Sequence, residues 1–454
     1  MAGAESAHGT GAPGAGPARA REARALLAAT LVGGPYELID FVLPLWAGAE
    51  IGLGAAGVGA LLAVELVFSV LVRPVAGVLA DRYERTVVAA AGAALYAVSA
   101  AGYALAGGAP AAWAAAAAGG VGGALLWVAV RALAGERLAE DSSVYPRLFA
   151  AQETGSWVAF VAGMTLIGQI DYRGVFLGCA AACAAAAVAL LTAPRGPAHG
   201  GAGRDEGDGG DGGHGRDDGH GRDGAGSGPG AGAAAAGLGS VGRRLRPMLL
   251  AVAFTMTAEA TVSLLLLLHL QREFDLGVVE VAYVFLPGAI AMSAAAEQLH
   301  GLVVRFGRRR ALTAASVSGA GFAAGLAWAP HPSVIAGLWI LSGLSWAVVL
   351  PVQQAVIVEA SPGRTGRAMG VYESASLLGS LAGALAAGVL YEGADWTVAC
   401  LAASATLLAG AVVVPRAVRS LGVADVPPPP PEPKTAPEPK PEPDDDADPG
   451  PRSR

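Results

Sequence analysis

Long apolar stretches alternate with short polar turns along most of the chain. Each stretch approaches the roughly 20 residues that a helix needs to cross the hydrocarbon core of a bilayer. A soluble alanine-rich bundle is the competing interpretation, but the scarcity of charge over such lengths argues against it. The pattern therefore predicts twelve membrane-spanning helices, near Leu26–Ala47, Ala56–Leu79, Thr86–Ala106, Ala111–Leu133, Leu148–Ile167, Val175–Thr192, Met248–Leu270, Val278–Val304, Ala311–Ala329, Ser333–Val358, Ala368–Tyr391 and Trp396–Val414.

The composition is typical of a membrane protein with polar tails. Of the 454 residues, 54% are hydrophobic and only 15% are charged, and the mean hydropathy is +0.50. The net charge of −7 comes largely from the tails, so no basic domain exists to bind nucleic acid. The three cysteines lie in apolar runs and predict neither disulfides nor a metal site. The sequence contains no phosphate-binding Gly-x-x-x-x-Gly-Lys-Ser/Thr and no nucleophile–base pattern, so we expect neither an enzyme nor a cofactor.

The distribution of charge divides the chain into five segments. We expect a disordered cytoplasmic tail at residues 1–23 and a first six-helix bundle at 24–194. A flexible Gly/Asp/His-rich cytoplasmic linker follows at 195–246, then a second six-helix bundle at 247–419 and a disordered Pro/acidic tail at 420–454. Low-complexity tracts seldom form a metal site, but loose metal binding stays open for the linker histidines His199, His214 and His220.

Arginine is concentrated in every second loop, and cationic residues mark the cytoplasmic side of a membrane protein. The asymmetry predicts a multi-pass protein of the plasma membrane with both termini in the cytoplasm. A cleaved signal peptide is the alternative for the first stretch, but this stretch is long and carries acidic residues at its middle. The outer loops hold only Arg173 and Arg272, whereas the inner loops hold Arg82, Arg85, Arg137, Arg147, Arg305, Arg308, Arg309, Arg310, Arg364 and Arg367.

Four carboxylic acids lie near the middle of predicted spans: Glu37, Asp40, Glu65 and Glu259. A charge at a helix centre costs roughly 2.5–3.5 kcal/mol on insertion scales, so such residues usually face a wet cavity or another polar group. We interpret them as proton-binding candidates in a substrate cavity. Pairing with an arginine is the alternative for some of them.

Other polar and aromatic side chains in the spans are candidate substrate contacts, although packing explains the aromatic ones equally well. They are Tyr36, Trp157, Gln353 and Gln354. Arg131 lies near the inner end of the fourth span, where an interfacial arginine is the competing interpretation.

The two halves of the chain resemble each other. The segment from Arg147 to Gly155 aligns with the segment from Arg367 to Ala375, so that Glu153 falls opposite Glu373. Two similar six-helix halves are typical of a transporter whose substrate site lies between them, near the middle of the bilayer.

The turn after the second span resembles a motif of the major facilitator superfamily, Gly-x-x-x-Asp-Arg-x-Gly-Arg-Arg. Gly77, Asp81, Arg82 and Arg85 match it, while Glu84 stands at the second glycine and Thr86 replaces the last basic residue. The resemblance implies an all-α membrane fold with twelve transmembrane helices in two pseudo-symmetric six-helix bundles.

Two further motifs bear on the type of transporter. Arg131 and Gly135 resemble the Arg-x-x-x-Gly core found in proton-coupled members, where the arginine is thought to adjust the pKa of nearby acids. The fifth span matches the glycine-rich exporter pattern at Gly155 and Gly163 only, because Ala159, Phe160 and Met164 replace its other residues.

The resemblance also implies a gate at the cytoplasmic ends of the helices, near Gly77 and Asp81. We expect Glu153 and Glu373 to hold it shut through ion pairs, and the predicted partners are Arg82, Arg85, Arg305 and Arg308. The alternative is an ordinary acidic residue near a helix N-terminus, which the helix dipole favours.

Together these patterns predict a monomeric secondary transporter in the lipid bilayer, with a small molecule and protons as its ligands. Proton-coupled efflux is the first interpretation, and proton-coupled uptake of a metabolite is the second. A non-transporting sensor or scaffold is a third, because the proline-rich run Pro427–Pro431 permits partner binding.

Overall fold

The computed structural model describes residues 15–166, 169–195 and 231–427. These residues form twelve α-helices and one short 3₁₀ turn, Gly135–Arg137, with no strand among them. The helices are α1 (Ala15–Ala49), α2 (Ala55–Arg82), α3 (Arg85–Leu105), α4 (Ala109–Ala134), α5 (Val144–Leu166), α6 (Tyr172–Leu191), α7 (Ala231–Arg272), α8 (Val278–Phe306), α9 (Arg308–Leu326), α10 (Pro332–Glu359), α11 (Thr365–Gly393) and α12 (Trp396–Ser420).

The two halves pack their helices in the same way. In the first half α1 packs on α5 and α6, α2 on α4, and α3 on α4 and α6. In the second half α7 packs on α11 and α12, α8 on α10, and α9 on α10 and α12. Each pairing of the first half thus recurs six helices later. The predicted all-α fold of twelve helices in two pseudo-symmetric six-helix bundles is confirmed.

Ten of the twelve helices are long and apolar enough to cross a membrane. The other two, α5 and α9, carry more polar residues: α5 contains Arg147, Gln152 and Glu153, and α9 begins with three consecutive arginines. Both helices are packed against other helices of their own half, α5 on α1 and α9 on α12. Neighbouring helices therefore cover much of the surface that a solitary span would expose to lipid.

Parts of the segments that the sequence predicts to be disordered are helical or form ion pairs in the structure. Helix α1 already begins at Ala15, and the Arg21 side chain is 4% exposed and binds Glu84 and Glu136. Helix α7 begins at Ala231, inside the predicted linker, and Asp425 of the predicted tail binds Arg309. The remaining parts of these segments, including the linker histidines and Pro428–Pro431, lie outside the described residues.

Glycine contacts of the same kind join the corresponding helices of the two halves. A Cβ added to Gly155 of α5 would lie 2.0 Å from the Thr30 carbonyl oxygen of α1. In the second half, a Cβ added to Gly379 of α11 would lie 2.4 Å from the Ala253 carbonyl oxygen of α7. Small residues thus let the backbones of these helix pairs approach closely in both halves.

Candidate functional site

A cavity of about 320 Å³ lies in the first half of the molecule, against α11 of the second half. Helices α1 to α4 supply most of its lining, and α11 contributes Leu377. Two carboxylates face it, Asp40 and Glu65, together with the phenol groups of Tyr36 and Tyr96. A cavity of this size accommodates a small organic molecule.

Glycines of α4 make room for the Glu65 side chain. A Cβ at Gly119 would lie 3.2 Å from Oε1 of Glu65, and a Cβ at Gly120 would lie 2.3 Å from the Glu65 carbonyl oxygen. Oε2 of Glu65 is buried and has no hydrogen-bond partner within the described residues. An unpaired buried carboxylate is costly unless a proton or another cation neutralises it, so the cavity is suited to cations.

Two arginines and a glutamate form a buried charged triad at the cavity, which Arg73 itself lines. Arg73 of α2 donates a hydrogen bond to the carboxylate of Glu373 on α11. It also donates to the backbone carbonyl oxygen of Glu373, at 3.3 Å. Arg131 of α4 lies 3.1 Å from the other carboxylate oxygen of Glu373 and stacks on Trp127 at 5.0 Å. Arg73 and Glu373 are 4% and 6% exposed. We define these three residues as the Arg73–Glu373–Arg131 triad, and it joins the two halves.

The predicted gate ion pairs are wrong. Arg85 binds Glu136 of its own half at 3.1 Å, and Arg308 binds Glu359 of its own half through two hydrogen bonds of 2.5 and 2.6 Å. Glu373 lies about two turns inside α11, too far along the helix to reach these turns, and it meets Arg73 and Arg131 instead. The two other predicted partners stack on their chain neighbours, Arg82 on Tyr83 and Arg305 on Phe306.

Glu153, the second predicted gate residue, forms no ion pair within the part of the chain that the structure describes. It lies near Glu37, Arg131 and Glu259, which all influence it electrostatically. The shared role that the repeat predicts for Glu153 and Glu373 is therefore absent from the ion pairs, because Glu373 pairs with Arg73 and Arg131.

Asp81 caps the N-terminus of α11 from α2. Its carboxylate accepts hydrogen bonds from the backbone N–H of Gly366 at 2.6 Å and of Arg367 at 3.1 Å. Glycines let the two helix backbones touch: a Cβ at Gly77 would lie 2.5 Å from the Gly366 carbonyl oxygen, and one at Gly370 would lie 2.4 Å from that of Arg73. Anions are favoured at a helix N-terminus, so these contacts bind α2 to α11.

The contacts between the halves are concentrated at one end, defined here as the closed end, where the α2–α3, α4–α5, α8–α9 and α10–α11 turns lie. Near the middle of the molecule Trp157 of α5 donates to Ser293 of α8 at 3.1 Å. Ser142, in the α4–α5 turn, hydrogen-bonds His300 of α8 at 3.0 Å. Every hydrogen bond found between the halves in the described residues lies between this middle level and the closed end. These hydrogen bonds hold the halves together at the closed end, and we name the space between the halves on the opposite side the cleft.

The α4–α5 turn is itself fixed by Asp141. Burial opposes ionisation of this side chain, but hydrogen bonds from the Ser143 hydroxyl and N–H and from Arg147 outweigh it, so the pKa of Asp141 is about 2. The ionised carboxylate therefore stabilises the turn fully when the pH is above 3.8, the ordinary pKa of this group. This contribution to stability is lost as the pH falls toward 2.

The remaining predicted site residues divide between two places. Glu37 is exposed to the cleft, within electrostatic range of Glu259. Glu259 lines a separate, smaller pocket of the second half and accepts a hydrogen bond from Ser263 at 3.0 Å. Gln353 is buried beside that pocket, where its amide donates to Thr255 at 3.4 Å. The structure therefore brings Tyr36, Asp40 and Glu65 together in the larger cavity and places Glu259 and Gln353 elsewhere.

Two of the candidate substrate contacts, Tyr36 and Gln354, lie beside aromatic side chains. Tyr36 packs edge-on against Trp127, with ring centroids 6.2 Å apart. Gln354 is 5% exposed on α10, close to Tyr372 of α11. Sequence reasoning missed the role of Arg73, although an arginine within the apolar run of α2 was a visible signal.

Comparison with known proteins gives a consistent result. The sequence profile of the Major Facilitator Superfamily matches residues 25–335 and 299–446. No curated protein sequence matches the chain. Among solved structures, the human organic anion transporter MFSD10 (TETRAN) is similar at a TM-score of 0.69 and 16% identity, over 88% of this chain and 99% of that one.

Two other solved structures share the fold. The proton:xylose symporter XylE, bound to 6-bromo-6-deoxy-D-glucose, has a TM-score of 0.65 at 13% identity, over 87% of this chain and 94% of that one. The nucleoside transporter NupG has a TM-score of 0.56 at 14% identity, over 88% of this chain and 99% of that one. At such identities the likeness concerns the fold alone.

Proposed function

The chain belongs to the major facilitator superfamily, and from this premise we propose that it is a secondary transporter that moves a small molecule across a membrane by alternating access. One observation carries the proposal. A cavity that contains the carboxylates of Asp40 and Glu65 is shut off at the closed end by contacts between α2 and α11. A molecule in the cleft would be released on the other side when those contacts separate.

The membrane orientation follows from charge. Arginines crowd the turns of the closed end, and such residues are retained on the cytoplasmic side. We assign the closed end, both termini and the linker between the halves to the cytoplasm, in the plasma membrane. The gate then consists of the Asp81 cap, the Gly77 contact and the Arg73–Glu373–Arg131 triad, in a protein that acts as a monomer.

Proton coupling is supported by the acidic residues of the cleft. Glu37 and Asp40 lie on one turn of α1, and Glu65 has an unpaired buried oxygen. Protonation of these groups would offset the cost of burying their charge. Efflux of a small cationic or amphipathic compound is the direction we favour, because Arg73, which lines the cavity, and the nearby Arg131 are already paired with Glu373. Uptake of a metabolite is the alternative.

The proposal is tested by a toxicity panel in a bacterium that lacks its own efflux pumps. Expression of the wild-type chain is expected to raise the tolerated concentration of at least one cationic compound by about tenfold. The double variant Asp40→Asn/Glu65→Gln is expected to lose that resistance, because neither proton nor cation finds a carboxylate in the cavity. Growth in the presence of each compound is the measurement, at matched protein abundance in the membrane.

The control is Glu297→Gln, since Glu297 is an exposed acid of α8 that does not line the cavity. Its resistance should equal that of the wild type. Resistance that survives the double variant would remove Asp40 and Glu65 from the mechanism, and the absence of resistance to every compound would contradict efflux and favour uptake.

A further inference from the structure

A second cavity, of about 30 Å³, lies in the second half of the molecule among α7, α9, α10 and α12. We propose that it binds a single sodium ion, with Glu259 as the charged ligand. The site lies outside the larger cavity in which Asp40 and Glu65 are expected to bind substrate and protons. The inference therefore goes beyond the proposed function.

The size of the pocket restricts its occupant. A water molecule needs roughly 10–15 Å³ of such space, so about 30 Å³ holds one or two particles of that size. An organic substrate does not fit. A partly hydrated metal ion does.

The polar lining consists of oxygen atoms, and most of them are acceptors. Ser345 donates its hydroxyl hydrogen to the Leu341 carbonyl at 2.9 Å, which leaves its oxygen as an acceptor. Thr255 donates to the Ala251 carbonyl at 2.6 Å and accepts a hydrogen bond of 3.4 Å from Gln353, which leaves one lone pair of its oxygen for a cation. Oxygen ligands such as these favour hard metal ions.

Two further hydroxyl groups add to this lining without a partner of their own. Ser316 and Ser342 both line the pocket, and neither hydroxyl makes a hydrogen bond within the described residues. Ser342 is only 4% exposed. Ser316 is half-buried, and neither hydroxyl oxygen is completely enclosed by protein atoms. A bound ion or its water would supply the polar contact that each of them lacks.

The charge of the pocket indicates a monovalent ion. Glu259 is the single ionisable residue among the lining residues, and the other walls include Phe322, Trp339 and Trp346. Apolar walls strengthen the attraction between one carboxylate and one cation. No group of three or more His, Cys, Asp or Glu side chains in the described residues is arranged to hold a metal ion, so a transition-metal or calcium site has no ligand set here.

Thermal unfolding of the purified full-length chain tests the proposal at constant pH and ionic strength. Sodium chloride is expected to raise the melting temperature in a saturable way relative to choline chloride and potassium chloride, because a ligand that binds only the folded state stabilises it. Glu259→Gln should abolish the sodium-specific shift. Ser342→Ala should raise the half-saturating sodium concentration by about tenfold, the loss typical even of outer partners of a metal ligand.

Glu297→Gln is the control, since it removes an exposed carboxylate of α8 that lines neither cavity and should leave the sodium response unchanged. Equal shifts with sodium and choline, a potassium effect as large as that of sodium, or a full sodium response in both Glu259→Gln and Ser342→Ala would each overturn the proposal. The measurement requires no transport, so its failure would leave the proposed transporter function untouched, and the toxicity panel can fail without affecting this site.

Discussion

Glu373→Gln is expected to open the closed end of the molecule. The substitution leaves Arg73 and Arg131 close together with no carboxylate between them, and both arginines are buried or nearly so. Removing one partner of a buried charge network costs about 3–5 kcal/mol. A state in which α2 and α11 have separated does not carry that penalty. Every 1.4 kcal/mol changes an equilibrium constant tenfold. The ratio of molecules with the closed end shut to molecules with it open should therefore fall by about a hundredfold or more.

Spin labels at Tyr83 and Pro362, which are exposed residues beside α2 and α11, measure this change. The wild type should give a short distance between the labels, and Glu373→Gln should shift most of the population to a longer one. Glu153→Gln is the control, because Glu153 is an acid of the same cleft that forms no ion pair within the described residues. A short distance that persists in Glu373→Gln would show that the triad does not hold the halves together.

Gly77→Leu is the second change with a large expected effect. Any Cβ at this position would lie 2.5 Å from the Gly366 carbonyl oxygen, which belongs to a helix backbone and cannot move aside alone. The side chain therefore has to separate α2 from α11 and displace the Asp81 cap. Overpacking of this kind costs typically about 1–3 kcal/mol, and the cost falls on the closed state alone because the packing within each half is unchanged.

Labelling of a buried cysteine is the measurement for this variant. Met369 is 0% exposed and directly precedes Gly370, which contacts α2. A cysteine in its place should react slowly with a membrane-impermeant maleimide applied from the closed end. The assay uses a background in which Cys179, Cys183 and Cys400 are replaced by alanine. Gly77→Leu should speed the reaction about tenfold or more. Gly59→Leu should leave it unchanged, since a Cβ at Gly59 of the same helix meets nothing within 4 Å.

Much of the architecture could be predicted from the sequence because it follows from local constraints. The length of an apolar helix is set by the bilayer, and the cost of an intramembrane charge places Asp40 and Glu65 at a cavity. The contacts of Glu373 could not be predicted in this way. Its partner Arg73 lies 300 residues away in the chain, and no periodicity in either helix specifies which residue of the other half it meets.

The predictions that differ from the structure failed for one reason, which is that they depend on tertiary packing. The alignment of Glu153 with Glu373 matched chemical types, whereas the arginines that Glu373 meets lie on α2 and α4 of the other half. The ordered part of the predicted C-terminal tail has the same explanation. Asp425 accepts a hydrogen bond from the N–H of Arg309 at 2.9 Å and pairs with its side chain, and Arg309 keeps the pKa of Asp425 below its ordinary value although burial opposes this.

The central claim is that the two halves alternate between opening at one end and opening at the other. It is tested most directly by measuring two distances in the same protein, reconstituted in lipid with proton gradients of either direction. One pair of spin labels, at Tyr83 and Pro362, reports on the closed end, and another, at Glu50 and Glu273 in the α1–α2 and α7–α8 loops, reports on the opposite end. We expect two populations, in which one distance lengthens whenever the other shortens. Two distances that stay fixed under every gradient would contradict alternating access.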